Sequence, residues 1–348
     1  MTLSRFVLIT ALAGSVLLNA ACSRLPLARF LPAARAAGPA EHGVTLIPLA
    51  GPLAERDAEF SGLARWGDEY VLLPQYPARY GDNLFTLGEA EIVASLAGLG
   101  GEGLAPAPLA FDDGGLSSVI PGFEGFEAIA IAGDRVYLAI EADEGPTMTG
   151  YLVTGAIDSA ARRVVLDPAT LAPMAEQASI DNMSYEAISV LPDGRVLLLY
   201  EANGANVNSQ PLAYLFDAAG APLGTAPSST LEYRITDATP ADGEGRFWAI
   251  NYFFPGDDVK LDPAADALAG RFGAGATHAA NRAIERLVEL QATGAGVALV
   301  DQPPLQLSLL PGVARNWEGI APLQTEYLDG FLLVSDTFPA TMLAFVEK

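Results

Sequence analysis

The chain has 348 residues, 51% of them hydrophobic, enough to bury a large core as one big domain or two ordinary ones. Its formal charge is −23; residues 1–40 hold four Arg and no acid, leaving 15 basic against 42 acidic side chains, a net of −27, in the remainder. That field repels nucleic acid and anionic lipid and concentrates cations, while one cysteine and two histidines exclude an internal disulfide, a cysteine zinc site and a histidine metal cluster.

Residues 1–21 read as a signal peptide: Arg5 gives a thin positive start and Phe6 to Leu18 an apolar run too short to favour a membrane span. Cys22, after Leu18-Asn19-Ala20-Ala21, resembles a bacterial lipobox. That resemblance implies diacylglycerol attachment at Cys22 and an exported protein on the outer-membrane or periplasmic side of the cell envelope. Signal-peptide cleavage after Ala37, with free secretion, is the alternative. Residues 22–42 read as an Ala/Pro-rich tether.

Residues 43–348 carry a repeated phrase of an aromatic, an acid, a small residue and an aliphatic, followed by a hairpin ending in a polar residue. It reads Phe126-Glu127-Ala128-Ile129 closing on Glu141, Tyr185-Glu186-Ala187-Ile188 closing on Glu201, and Trp317-Glu318-Gly319-Ile320 closing on Asp336. Two weaker copies are Phe60-Ser61-Gly62-Leu63 closing on Gln75, and Asp237 closing on Asn251. Turn sequences such as Ala132-Gly133-Asp134-Arg135 and Pro192-Asp193-Gly194-Arg195 suit tight hairpins.

A third strand is expected at Asn83–Leu87, Tyr151–Thr154, Ala213–Asp217, Glu285–Leu290 and Met342–Val346, and a fourth at Glu91–Leu96, Arg163–Leu166 and Val297–Val300. Ala279–Thr293 also suits an amphipathic helix, but its place in the repeat favours a strand. Residues 253–281 are then an insertion in the fourth repeat. The repeats predict an all-β fold, a five-bladed β-propeller of four-stranded antiparallel blades. Val44–Pro48 is expected to complete the last blade and close the ring.

In such a fold the first strand begins and the second ends at one rim of the channel. Glu127, Glu141, Glu186, Glu201, Asp237, Glu318 and Asp336 should therefore converge, facing one another across their hairpins. Like charges so placed are destabilising, so they call for a cation, raised pKa values or both. Hard oxygen donors without His or Cys predict Ca²⁺, with Mg²⁺ second. Arg79, Arg234, Arg282 and Arg315 are expected in loops at the same rim, as substrate-binding groups or as partners of neighbouring acids. Ser61 and Gln75, where the first blade departs from the acid rule, are expected to open a ligand sector, and with Asn251 they are expected to bind substrate.

Asn316-Trp317-Glu318 and Ser335-Asp336, with Glu59-Phe60-Ser61-Gly62-Leu63 and Phe126-Glu127-Ala128-Ile129, resemble the phytase-like and calcium-activated nucleotidase group of propellers. The resemblance spans about residues 44–348. It implies a calcium-bearing propeller and a phosphoester or ester hydrolase, with Glu186 or Glu127 as general base. The families' dense set of phosphate-binding Lys and Arg is not found, so a non-catalytic binding protein and a lactonase-type esterase remain alternatives. The expected ligand is a small, anionic molecule at the mouth, and the expected state a monomer.

Overall fold

Most strands are apolar on both faces, the mark of a sheet packed on each side. Tyr70, Val71, Leu72 and Leu73 run consecutively and are all buried. The computed structural model describes residues 38–54, 58–145 and 147–348. The expected signal peptide, Cys22 and most of the expected tether lie outside the described residues.

The described chain opens with β1 (Glu41–His42) and β2 (Val44–Ile47), so the segment read as tether already carries a strand at its end. A first antiparallel unit follows: β3 (Phe60–Trp66), β4 (Glu69–Pro74), β5 (Asn83–Gly88) and β6 (Ala107–Asp112). The second is β7 (Phe123–Ala132), β8 (Arg135–Asp143), β9 (Met148–Asp158) and β10 (Arg163–Met174). A parallel pairing of β6 with β10 joins these two into one eight-stranded sheet. The third is β11 (Tyr185–Val190), β12 (Val196–Tyr200), β13 (Leu212–Phe216) and β14 (Pro222–Pro227).

The fourth holds β15 (Arg234–Ala238), β16 (Arg246–Phe253), β17 (Ile284–Thr293) and β18 (Gly296–Leu299), extended by β19 (Leu305–Leu307) and by β1 pairing parallel with β19. The fifth is β20 (Trp317–Gln324), β21 (Asp329–Ser335) and β22 (Met342–Glu347), with β2 pairing antiparallel along β22. The fold is mostly β, and Val44–Ile47 does pair where the sequence placed it.

One expected strand is a helix. Glu91–Leu96 lies in α1 (Glu89–Leu96), and β6 takes the fourth-strand place instead. The Gly88 amide donates to Glu91 Oε2, and Glu89 and Glu91 occupy the first turn, where acids favour a helix. Residues 253–281 hold short helical turns at Asp258–Leu261, Ala267–Phe272 and Ala276–Ala279.

The first strands of the units meet in a closed circuit: β3 packs on β7, β7 on β11, β11 on β15, β15 on β20, and β20 back on β3. The core is divided accordingly. Val71 and Leu73 of β4 pack toward the second unit, with Ile129, Leu138 and Val153, while Tyr70 and Leu72 pack toward the fifth, with Leu332, Val334 and Phe345. Three further clusters join the second unit to the third, the third to the fourth and the fourth to the fifth. Strand alternation thus assigns each side chain to one of two neighbours.

The small residue of the phrase lies where first strands approach closest. A Cβ on Gly62 would meet the Ile129 amide nitrogen at 3.0 Å, and one on Gly319 the Leu63 nitrogen at 2.9 Å.

Candidate functional site: the acid cluster around Arg234

Every copy of the phrase contains a β-bulge, and the bulge sits at the polar position. In β7 the register shifts between Phe126 and Ala128, leaving Glu127 unpaired; in β11 Glu186 is skipped, in β20 Glu318 and in β3 Ser61. A bulge re-aims the extra residue out of the regular alternation. The expected facing of Glu127 with Glu141, Glu186 with Glu201 and Glu318 with Asp336 is therefore corrected: Glu141 pairs with Gly125, and Tyr185 with Tyr200. The acids meet at the strand ends, not across the ladder.

The fourth copy is displaced by one residue from the sequence reading. Ile235 pairs with Asn251 and Arg234 with Tyr252, and the shift falls between Ile235 and Ala238. Thr236, not Asp237, thus takes the polar bulge position. Its hydroxyl donates to the Trp317 carbonyl at 2.6 Å, as the Ser61 hydroxyl donates to that of Phe126 at 2.5 Å. Asp237 takes the small-residue position, where its carboxylate accepts from the Ile320 amide at 2.7 Å and the Ala238 amide at 2.8 Å. Burial raises the Asp237 pKa well above the usual range and those two amides pull it down. It ties two first strands together and stays out of the cluster.

The fourth unit contributes a base. Arg234 Nε donates to Glu201, its Nη2 lies 3.4 Å from Glu318 and 3.6 Å from Glu186, and its Nη1 donates to Asn316 Oδ1 at 3.3 Å. Asn316 in turn donates to Glu318 and, at 3.4 Å, to Asp336. Gln75 Nε2 donates to Glu127 Oε1 at 2.9 Å. Glu127, Glu141, Glu186 and Glu201 are all buried. Of the expected acids, Asp237 alone leaves the group.

The other expected polar residues are committed elsewhere. Arg79 pairs with Glu59 and lies over the Tyr76 ring at 4.1 Å, and Arg282 pairs with Asp258. Arg315 is buried against Glu285, 2.8 Å from Nε to Oε2, and Trp317 Nε1 donates to the same oxygen at 2.8 Å. Asn251 donates to the carbonyls of Glu232 and Arg234 and accepts from Arg286 Nε at 2.8 Å. The sequence reading missed Thr236, whose signal was the one-residue bulge offset, and gave Asn316 no place in the site.

Burial and mutual repulsion shape the electrostatics. Burial, then Glu201 and Glu124, push Glu141 up to about 8. Burial and Asp336 push Glu318 up to about 8, against the pull of Arg234. Burial first, then Glu141 for the one and Glu201 for the other, hold Glu127 and Glu186 well above the usual carboxylate range. Glu141 Oε1, Glu186 Oε2 and Glu201 Oε2 receive no hydrogen bond from a conventional donor. Glu186 and Glu201 lie within hydrogen-bond reach, so one proton shared between them satisfies that pair.

The oxygen-rich donor set has the chemistry of a calcium site. Among the described residues no three of His, Cys, Asp and Glu are placed to hold a metal ion. The guanidinium of Arg234 supplies the compensating charge.

Beside the cluster is a cavity of about 200 Å³ lined by Arg234, Asn316, Tyr252, Phe254, Asp257 and Phe338, with Ala314.

No known family and no curated protein matches the chain. Among solved structures it is similar to an α-L-arabinofuranosidase from Podospora anserina in complex with cellotriose (7% identity, 88% of this chain and 96% of that one, TM-score 0.45). It is also similar to a mannose phosphorylase from Leishmania mexicana in complex with phosphate (11% identity, 89% and 88%, TM-score 0.42) and to a DUF4623 family protein from Bacteroides eggerthii (11%, 84% and 72%, TM-score 0.41). Likeness this distant bears on neither substrate nor residue roles.

Proposed function

We propose that the chain is a five-bladed β-propeller that binds a small molecule at the mouth formed by the acid cluster, and that its carboxyl groups meet that molecule largely protonated. What supports the architecture is the closed circuit of first strands together with the pairing of β2 on β22. The observation that carries the function is the burial of Glu127, Glu141, Glu186 and Glu201, with Glu318 half-buried beside them, around Arg234 and next to a cavity.

A second reading, hydrolysis of an ester or phosphoester, draws support from Glu318. A carboxyl pushed up to about 8, one hydrogen bond behind the cavity residue Asn316, is poised to protonate a leaving group near neutral pH.

One experiment addresses both. Residues 38–348 are assayed against nitrophenyl ester, phosphoester and lactone substrates, with thermal stabilisation recorded in parallel, as wild type and Glu318→Gln, with calcium and with EGTA. Turnover, or stabilisation without turnover, that is lost in Glu318→Gln supports the acid-lined mouth. Activity untouched by that change contradicts it, and stabilisation that requires calcium contradicts the arginine-centred arrangement.

A further inference from the structure

Three aromatic rings stand around the cavity beside Arg234. Tyr252 is buried, whereas Phe254 and Phe338 are 50% and 60% exposed. Exposed phenylalanines at a concave site expose apolar area that a flat ligand face would cover. Beneath them the floor is polar. Arg234 presents N–H donors, and Asn316 and Asp257 present acceptor oxygens.

The floor is also close to electrically balanced. The Arg234 guanidinium faces Glu186, Glu201 and Glu318, and the Asp257 carboxylate lines the same cavity, so charges of both signs meet there. A cation would sit against the guanidinium, and an anion against the acids behind it. A hydroxyl group, which both donates and accepts, suits such a floor better than either ion.

We propose that this cavity binds a neutral polyhydroxylated ring of monosaccharide size, stacked on Phe254 and Phe338 with its hydroxyls on Arg234, Asn316 and Asp257. The proposal rests on the reading of the mouth as a ligand site and specifies its ligand class. A volume of about 200 Å³ accommodates one six-membered ring with its substituents and little more. No bond is made or broken.

The test keeps the ring and varies its charge. Residues 38–348 are titrated by calorimetry with methyl glucoside, methyl mannoside and methyl xyloside, then with glucose 6-phosphate and glucosamine. Phe254→Ala and Phe338→Ala follow, with circular dichroism to check folding; each side chain is half or more exposed, so the fold is expected to survive. Binding of at least one neutral glycoside, weakened about five- to tenfold in each variant, is the predicted result. Preference for the phosphate or the amine, weakened in the same variants, overturns the ligand class and leaves the mouth reading standing. Neutral binding unchanged in both variants overturns the site. Absence of binding by every probe overturns the ring proposal, and the ester panel then decides the mouth reading on its own.

Discussion

Arg234 is the residue on which the cluster depends. Removing one partner of a buried ion pair leaves uncompensated charge behind. Arg234→Gln is therefore expected to destabilise the fold by about 3–5 kcal/mol in urea denaturation near neutral pH. Glu201→Gln should cost less, because Glu186 and Glu318 still face the guanidinium. The same cluster sets a pH dependence. A folded carboxyl with a raised pKa holds a proton that the unfolded chain has already released, so stability is greatest below the ordinary Glu range and falls as pH rises toward about 8. Thermal denaturation is expected to show a falling midpoint from about pH 5 to about pH 9, flattened in Glu141→Gln with Glu318→Gln. Glu41 runs the other way. Burial would raise its pKa, but hydrogen bonds from His278 and Thr277 hold it below the usual value, so its contribution is lost as pH falls through the acid range. A midpoint that rises steadily from pH 5 to pH 9 would contradict the buried, protonated cluster.

Among the elements, the first strands join neighbouring units to one another and place the acids. Their small residues are small because another backbone passes there. Gly319→Ala would press a methyl group against the Leu63 nitrogen at 2.9 Å and the Val334 side chain at 2.4 Å, for an expected loss of about 1–3 kcal/mol. Thr236→Val keeps the shape and removes the donor to the Trp317 carbonyl, for an expected loss of about 1–2 kcal/mol. Both are measured by chemical denaturation, and a neutral Gly319→Ala would mean that β20 and β3 do not approach as described. The phrase itself was legible because aromatic, acid and small residue recur in fixed order. The bulge was not legible: counting symmetrically from a turn assumes one residue opposite one, and here two oppose one. That miscount turned a meeting at strand ends into facing pairs and moved the fourth copy from Thr236 to Asp237. The start of α1 has a sequence mark in Glu91, whose carboxylate accepts from the Gly88 amide, but repeat position alone does not carry it.

Over the whole molecule, the chain closes through its own first strands. β2 gives β22 an antiparallel partner, and β1 does the same in parallel for β19. A chain beginning at residue 49 would leave β22 with an open edge and remove Ile47 from the core. Its unfolding midpoint is expected to fall by at least about 5 °C relative to residues 38–348, with concentration-dependent association visible by light scattering. Equal stability and solubility would contradict closure by β2. The pairing of β2 with β22 could be read from the spare apolar strand at Val44. The parallel seam between β6 and β10 and the short β19 carry no periodic signal, since each depends on pairing between distant segments. The sequence placed Arg234 at the rim as a partner of neighbouring acids, but which acids it meets could not be read until the register was known.

The direct measure of the central claim is the ionisation of the glutamates themselves. Carbon-13 labelling at Glu Cδ, with Glu127→Gln, Glu186→Gln and Glu318→Gln for assignment, follows each carboxyl through a pH titration of residues 38–348. The account predicts that Glu318 titrates near 8 and that Glu127 and Glu186 remain protonated well above the ordinary Glu range. Titration of all three between about pH 4 and 5, as for exposed glutamates, would contradict it.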